Sequence, residues 1–177
     1  LGGLSVEQTG EEDAMSNDSS TGIAGTVIVV CESQRGRAGK VAAAARDAAR
    51  TRGFGATIGV IDDLAPATIG AADALIAGCW MPGKAPFGDE PMRRLISWIE
   101  SLEPLNGKPI GVYCTYRFFP HTFADTATRT AETEHLLQAK FEDKGGKVYA
   151  KRAIHINSIE EDAAALVDAV LERVPAA

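Results

Sequence analysis

Residues 27–30 read Val-Ile-Val-Val, four branched apolar side chains with no polar residue between them. Such a run predicts a strand buried on both faces, and strands of that kind belong to parallel sheets. The rest of the chain repeats the theme. After "GTVIVVC", residues 38–52 read as a helix stopped by Gly53, and "GATIGVI" reads as a second strand. "DDLAPATIGAAD" reads as a loop with a short helical turn at most, because Pro66 and Gly70 interrupt it. "ALIAGC" is a third strand, "WMPGKAPFGDEP" a long loop, and Met92 to Leu102 a helix with Leu95, Ile96, Ile99 and Leu102 on one face. "KPIGVYC" is a fourth strand, followed by the loop "TYRFFPHTF" and a long helix from about Ala124 to Lys144, ended by Gly145 and Gly146. "KVYAKRAIHI" is a fifth strand, and Ile159 to Val174 a last helix whose first turn is acidic, as the helix dipole favours.

Five strands separated by helices imply an α/β fold, a doubly wound five-stranded parallel sheet with right-handed crossovers. For 177 residues the expected strand order is 2-1-3-4-5. The expected domain spans residues 23–177. Residues 1–22 are polar, acidic and aperiodic, and read as a disordered tail. Met15 opens "MSNDSST" like a natural start, so residues 1–14 read as a tag, a fusion remnant or a misassigned start, with a docking tail as the sharper alternative.

Charge and cysteine usage narrow the function classes. The net charge is −6, but five acids (Glu7, Glu11, Glu12, Asp13 and Asp18) lie in the tail, and without them 18 cations face 19 acids. A nearly neutral domain lacks the basic field that general nucleic-acid binding wants. No run reaches the roughly 18 apolar residues of a membrane span, and no cationic-then-apolar leader opens the chain. Three scattered cysteines suit a reducing cytoplasm better than a disulfide framework. Cytoplasmic localisation is expected. The oligomeric state is left open.

In a sheet of this order ligands bind outside the carboxyl ends of the strands, at the switch point between strands 1 and 3. Three loops are thereby selected: 32–39, 79–90 and 114–124. The first brings Ser33, Gln34, Arg35, Gly36, Arg37 and Ala38 to a helix N-terminus, where free N–H groups favour an anion. The second carries Cys79, Trp80 and Met81, and the third Thr115, Tyr116 and Arg117 ahead of Phe118 and Phe119. A phosphate nest beside two aromatic walls describes a site for a flat phosphorylated ring, with FMN the obvious candidate. Competing motifs are missing. Gln34 stands where a nucleotide-triphosphate loop needs its first glycine, and Val41 where it needs Ser or Thr. G-x-G-x-x-G is absent from 32–40, G-x-S-x-G occurs nowhere, and strand 3 ends in Cys79 and Trp80 rather than a receiver aspartate.

From about Gly25 to Val174 the chain resembles a flavodoxin. Flavodoxins follow strand 1 with Ser/Thr-x-Thr-Gly-x-Thr around the flavin phosphate, and Ser33 and Gly36 match that pattern while Arg35 and Ala38 depart from it. "CESQRGRAGKVA" is also similar to the looser Ser/Thr-x-x-Gly-x-Thr loop of protoporphyrinogen-oxidase-type flavodoxin domains. "LIAGCWMPGKAPFGDEPMRRLISWIESL" resembles the family's strand 3 and first ring loop, and "IGVYCTYRFF" its strand 4 and second ring loop. The resemblance implies that Trp80 covers one ring face and Tyr116 the other. Arg35 and Arg37 could replace the missing hydroxyls, since guanidinium pairs with phosphate in a forked geometry. Arg117 and Lys84 beside the ring would favour an anionic reduced flavin and raise its potential.

The function implied is an FMN redox protein passing electrons between partner proteins, in which the flavin does the chemistry and no catalytic acid or base is needed. Two alternatives stay open: a flavin-dependent quinone or porphyrinogen oxidoreductase, and a cofactor-less interaction module. The enzyme question is thus undecided between them, with a carrier preferred. Other residues carry plainer readings. Phe118 and Phe119 are expected to pack, His155 to sit in a strand as a satisfied histidine, and His135 to lie on a helix surface. His121 is the histidine nearest the expected site and the one candidate for proton transfer. Cys31, Cys79 and Cys114 fall near the ends of neighbouring strands, yet match no metal spacing and read as buried free thiols rather than a metal or redox trio.

Overall fold

The computed structural model describes residues 24–32, 36–81, 90–116 and 123–175, with side chains from 128 onward in the last stretch. The elements run β1 (Thr26–Cys31), α1 (Arg37–Thr51), β2 (Gly55–Val60), α2 (Pro66–Ala71), β3 (Ala74–Trp80), α3 (Glu90–Ser101), β4 (Pro109–Tyr116), α4 (Phe123–Asp143), β5 (Lys147–His155) and α5 (Ile159–Leu171). All neighbouring strands pair parallel, in the order β2-β1-β3-β4-β5. The doubly wound α/β expectation is met. The expected tail, residues 1–22, lies outside the described residues.

Strand alternation explains the two cores. Val27, Val29 and Cys31 of β1 join Ile76 of β3 and Tyr113 of β4 beneath α1 and α5. Ile28 and Val30 turn the other way, with Leu75, Ala77, Ile110 and Val112, beneath α2, α3 and α4. Every residue of β3 but Trp80 is buried, the pattern of a central strand covered on both sides. Each fully buried Val, Ile or Leu adds about 1.5–3 kcal/mol relative to exposure. The alanines of α1 serve this packing: Ala38, Ala42, Ala45 and Ala49 are buried along one face with Val41, and their small side chains bring the helix close to the sheet.

Three departures from expectation matter most. The segment read as a loop holds the six-residue helix α2, in which Pro66 occupies the first turn rather than breaking it. The other two bear on the site: β3 runs on to Trp80, and β4 runs on through Thr115 to Tyr116. These residues were expected in loops. They end strands instead, held by ladder pairing of Trp80 with Thr115 and of Tyr116 with His155. Among the described residues no helix is long and apolar enough to cross a membrane.

Candidate functional site

The chain leaves β1 toward α1 on one face and leaves β3 toward α3 on the other, so a crevice opens at their carboxyl ends. On its β1 side Gly36 caps α1 with φ 88° and ψ −155°, a region that is essentially glycine's alone. Among the described residues no side chain caps the helix, and its first turn holds no acid. The first intrahelical bond runs from Lys40 N–H to the Gly36 carbonyl at 3.3 Å. The N–H groups of residues 37–39 therefore precede the helical ladder and, with the dipole, favour an anion. Arg37 is half-buried and Ala38 buried at this end.

The helix end is tied to β4 across the intervening strand. A Cβ on Gly78 of β3 would lie 2.2 Å from the Tyr113 carbonyl oxygen and 2.4 Å from Tyr113 Cγ. The absence of that carbon lets the Tyr113 ring lie against β3. Its hydroxyl then reaches the Val30 carbonyl at 3.4 Å and the Ala38 carbonyl at 3.2 Å. Burial, reinforced by the nearby Cys31 and Glu32, holds the Tyr113 hydroxyl far above the usual phenol range, so it remains a neutral donor. Two residues further on, Thr115 is fully buried and its Oγ1 has no hydrogen-bond partner. An orphaned buried hydroxyl at a strand end of the crevice is an available donor and acceptor.

Trp80 and Tyr116 are both half-buried at the ends of adjacent strands, and strand alternation places them on opposite faces of the sheet. The Tyr116 ring packs against His155, centroids 5.4 Å apart and planes tilted by 56°. Burial, then Asp162 and Glu134, raises the Tyr116 hydroxyl above its ordinary value. Met81 N–H donates to the Thr115 carbonyl at 2.9 Å, and the Met81 sulfur accepts from Thr130 Oγ1 at 3.0 Å. His155 accepts the Asn157 N–H at Nδ1, 3.3 Å away, and His135 is exposed beside Lys151.

Of the expected site residues, Gly36, Arg37, Ala38, Cys79, Trp80, Met81, Thr115 and Tyr116 are described and belong to this end of the sheet. Ser33, Gln34, Arg35 and Arg117, with Lys84, Phe118, Phe119 and His121, lie outside the described residues. Cys79 is buried below Trp80 in the core under α3 and α4 rather than in the loop. A cavity of about 680 Å³, bordered by Val27, Phe54 and Ala72, lies at the amino ends of β1 and β2, away from these residues. Among the described residues no cluster of His, Cys, Asp or Glu could hold a metal ion.

One residue was passed over in the sequence. Glu32 directly follows β1, is only 7% exposed, and keeps a buried Oε2 with no partner. The backbone N–H groups of Glu32 itself and of Trp80 favour its charged form. An acid abutting a run of five apolar residues was the available signal. Burial raises its pKa above the ordinary 4.5, against the opposing pull of those N–H groups and of Arg94, which itself pairs with Asp62. The sign follows directly. Below pH 4.5 folded and unfolded chains both hold the proton; as the pH climbs from there toward the raised folded value, the unfolded chain releases it first and stability falls. Glu32→Gln is expected to flatten that decline and to be the more stable protein at neutral pH. Glu134, also raised by burial, keeps part of the slope. Urea unfolding of both proteins across that window checks the expectation, and identical pH slopes would contradict it.

No family model matches the sequence, and no curated protein sequence matches it. Solved structures do. A flavodoxin from Streptococcus pneumonia TIGR4 superposes with TM-score 0.62 at 18% identity, over 84% of this chain and 99% of its own. Oxidised flavodoxin 1 from Bacillus cereus gives 0.64 at 13% identity, over 85% and 99%. Two-electron reduced flavodoxin from Megasphaera elsdenii gives 0.59 at 17% identity, over 80% and 98%. What is shared at these identities is the fold: the chain has the flavodoxin-like fold over most of its length.

Proposed function

We propose that the chain binds FMN at the carboxyl end of its sheet and passes electrons between partner proteins. The observation that carries this reading is the set of groups gathered at the carboxyl ends of β1, β3 and β4. It joins an anion-ready helix end at Gly36, an orphaned buried hydroxyl on Thr115, and two half-buried aromatics, Trp80 and Tyr116. That set fits a phosphorylated aromatic ring. Helix α1 receives the phosphate, with Ser33, Gln34, Arg35, Gly36, Arg37 and Ala38 around it. Trp80, Met81, Thr115, Tyr116 and Arg117 serve the ring end, with Cys79 behind them. When bound, FMN accepts and releases one or two electrons. The protein's own share is to bind, flank and desolvate. Tyr113 keeps helix and sheet in register, and Tyr116 stays a protonated, neutral neighbour. Two of the structural neighbours are described in an oxidised and a two-electron reduced state, which supports a redox role.

No residue of the described crevice forms a nucleophile–base pair, and this favours a carrier over an enzyme acting on a quinone or porphyrinogen. Three free thiols suit a reducing compartment such as the cytoplasm. The experiment is reconstitution with FMN followed by reduction. A carrier accepts electrons from reduced nicotinamide only when a flavodoxin reductase is added. Direct oxidation of nicotinamide or porphyrinogen by the chain alone would overturn the carrier reading.

A further inference from the structure

Register puts two of the three cysteines side by side. Cys79 of β3 pairs across the ladder with Cys114 of β4, and both are fully buried, free thiols. Alternation turns both toward α3 and α4, where Cys79 packs in the core with Val112. As directly opposed ladder partners on one face of the sheet, they are cross-strand neighbours. Cys31 stands on the neighbouring strand but points into the opposite core, beneath α1 and α5. The three thiols are thus one cross-strand pair and one outsider.

We propose that Cys79 and Cys114 are a reversible dithiol–disulfide pair, closed by hydrogen peroxide and opened by a dithiol reductant. In the closing direction one thiol, as its thiolate, attacks a peroxide oxygen; the O–O bond breaks, leaving a sulfenic acid and a first water. The second sulfur attacks the sulfenic sulfur, the S–O bond breaks, the S–S bond forms, and the released hydroxide takes the second thiol's proton as a second water. Two thiols lose two electrons and two protons, and one peroxide is reduced to two waters. Opening returns two electrons and two protons from an external dithiol, which becomes a disulfide.

Geometry makes this bridge a switch rather than a staple. Neighbouring strands lie about 4.8 Å apart, within the roughly 4.4–6.8 Å that Cα atoms of a disulfide span. Side chains that stand in register on parallel strands keep about that same spacing at Cβ, wider than the roughly 3.8 Å of a relaxed bridge. A strained disulfide is the more reducible kind. The neighbouring Cys79 side chain, then burial, then the charges of Glu134 and Glu32 push the Cys114 thiol well above its ordinary range, so little thiolate is present and closure is slow. Closure also draws β3 and β4 together one residue below Trp80 and Thr115, at the floor of the crevice.

The folded chain, without flavin, is exposed to hydrogen peroxide, then unfolded in an alkylating reagent, and its free thiols are counted with its intact mass. The expected result is a fall from three free thiols to one, a mass loss of two hydrogens, and recovery of all three with dithiothreitol. Cys31→Ala is expected to lose both remaining thiols, and Cys79→Ala and Cys114→Ala to form no internal bridge. Retention of all three thiols, gain of oxygen in place of loss of hydrogen, or bridges between chains would each overturn the proposal. None of these readouts depends on FMN binding.

Discussion

Replacing Gly78 with alanine is expected to destabilise the protein by about 3 kcal/mol or more, at the upper end of overpacking costs. The added Cβ would meet the Tyr113 carbonyl oxygen at 2.2 Å and the ring at 2.4 and 2.5 Å. Backbone of a central strand and a fully buried ring are the two groups least able to give way. The clash also separates elements. Tyr113 must keep its contact with β3 to reach Val30 on β1 and Ala38 on α1, so pushing the ring out releases the first turn of α1 as well. Denaturant unfolding of wild type and Gly78→Ala measures the difference. A change under 1 kcal/mol, on the order of a surface substitution, would show that Tyr113 does not lock the sheet to the helix.

Gly36→Ala is expected to act on binding more than on folding, with FMN affinity falling about tenfold or more. The backbone at Gly36 lies at φ 88° and ψ −155°, and a non-glycine residue held there costs about 1–3 kcal/mol. A Cβ at this position meets nothing within 4 Å, so the penalty is conformational and the loop can escape it by re-forming. Re-forming turns the free N–H groups away from the position where the phosphate is received, and about 1.4 kcal/mol of that loss is a factor of ten in Kd. Gly70→Ala is the control. It too has open space, carries no positive φ and lies within α2, so it is expected to leave affinity unchanged and to stabilise the helix slightly. Titration of wild type and both variants with FMN separates the cases. Equal affinity for wild type and Gly36→Ala would remove α1 from the site.

The elements of the fold were legible because their signals are local. Val27 to Val30 could only be a strand between two layers, and the apolar spacing of Leu95, Ile96 and Ile99 could only be a helix face. Pro66 misled because the same residue that breaks a helix interior starts a helix well. Trp80 and Tyr116 were assigned to loops because an aromatic after an apolar run marks no boundary; ladder pairing to Thr115 and His155 decided it. The deeper features of the site are set by pairing between distant segments. Gly78 reads as one more small residue until Tyr113 arrives across the ladder. Cys79 and Cys114 read as two of three thiols near the ends of neighbouring strands until register pairs them across the ladder. Glu32, by contrast, was visible as an acid at the end of a buried strand, and only its environment showed that it stays buried with an oxygen to spare.

The central claim is that this crevice holds FMN, and its most direct test is titration of the purified chain with FMN while following tryptophan fluorescence. The chain has two tryptophans, Trp80 at the crevice and Trp98 in the core under α3. The account predicts saturable quenching at micromolar FMN or below, carried by Trp80 and therefore largely lost in Trp80→Phe, together with co-elution of the yellow chromophore on gel filtration. Unchanged fluorescence and a colourless protein peak at micromolar FMN would contradict it.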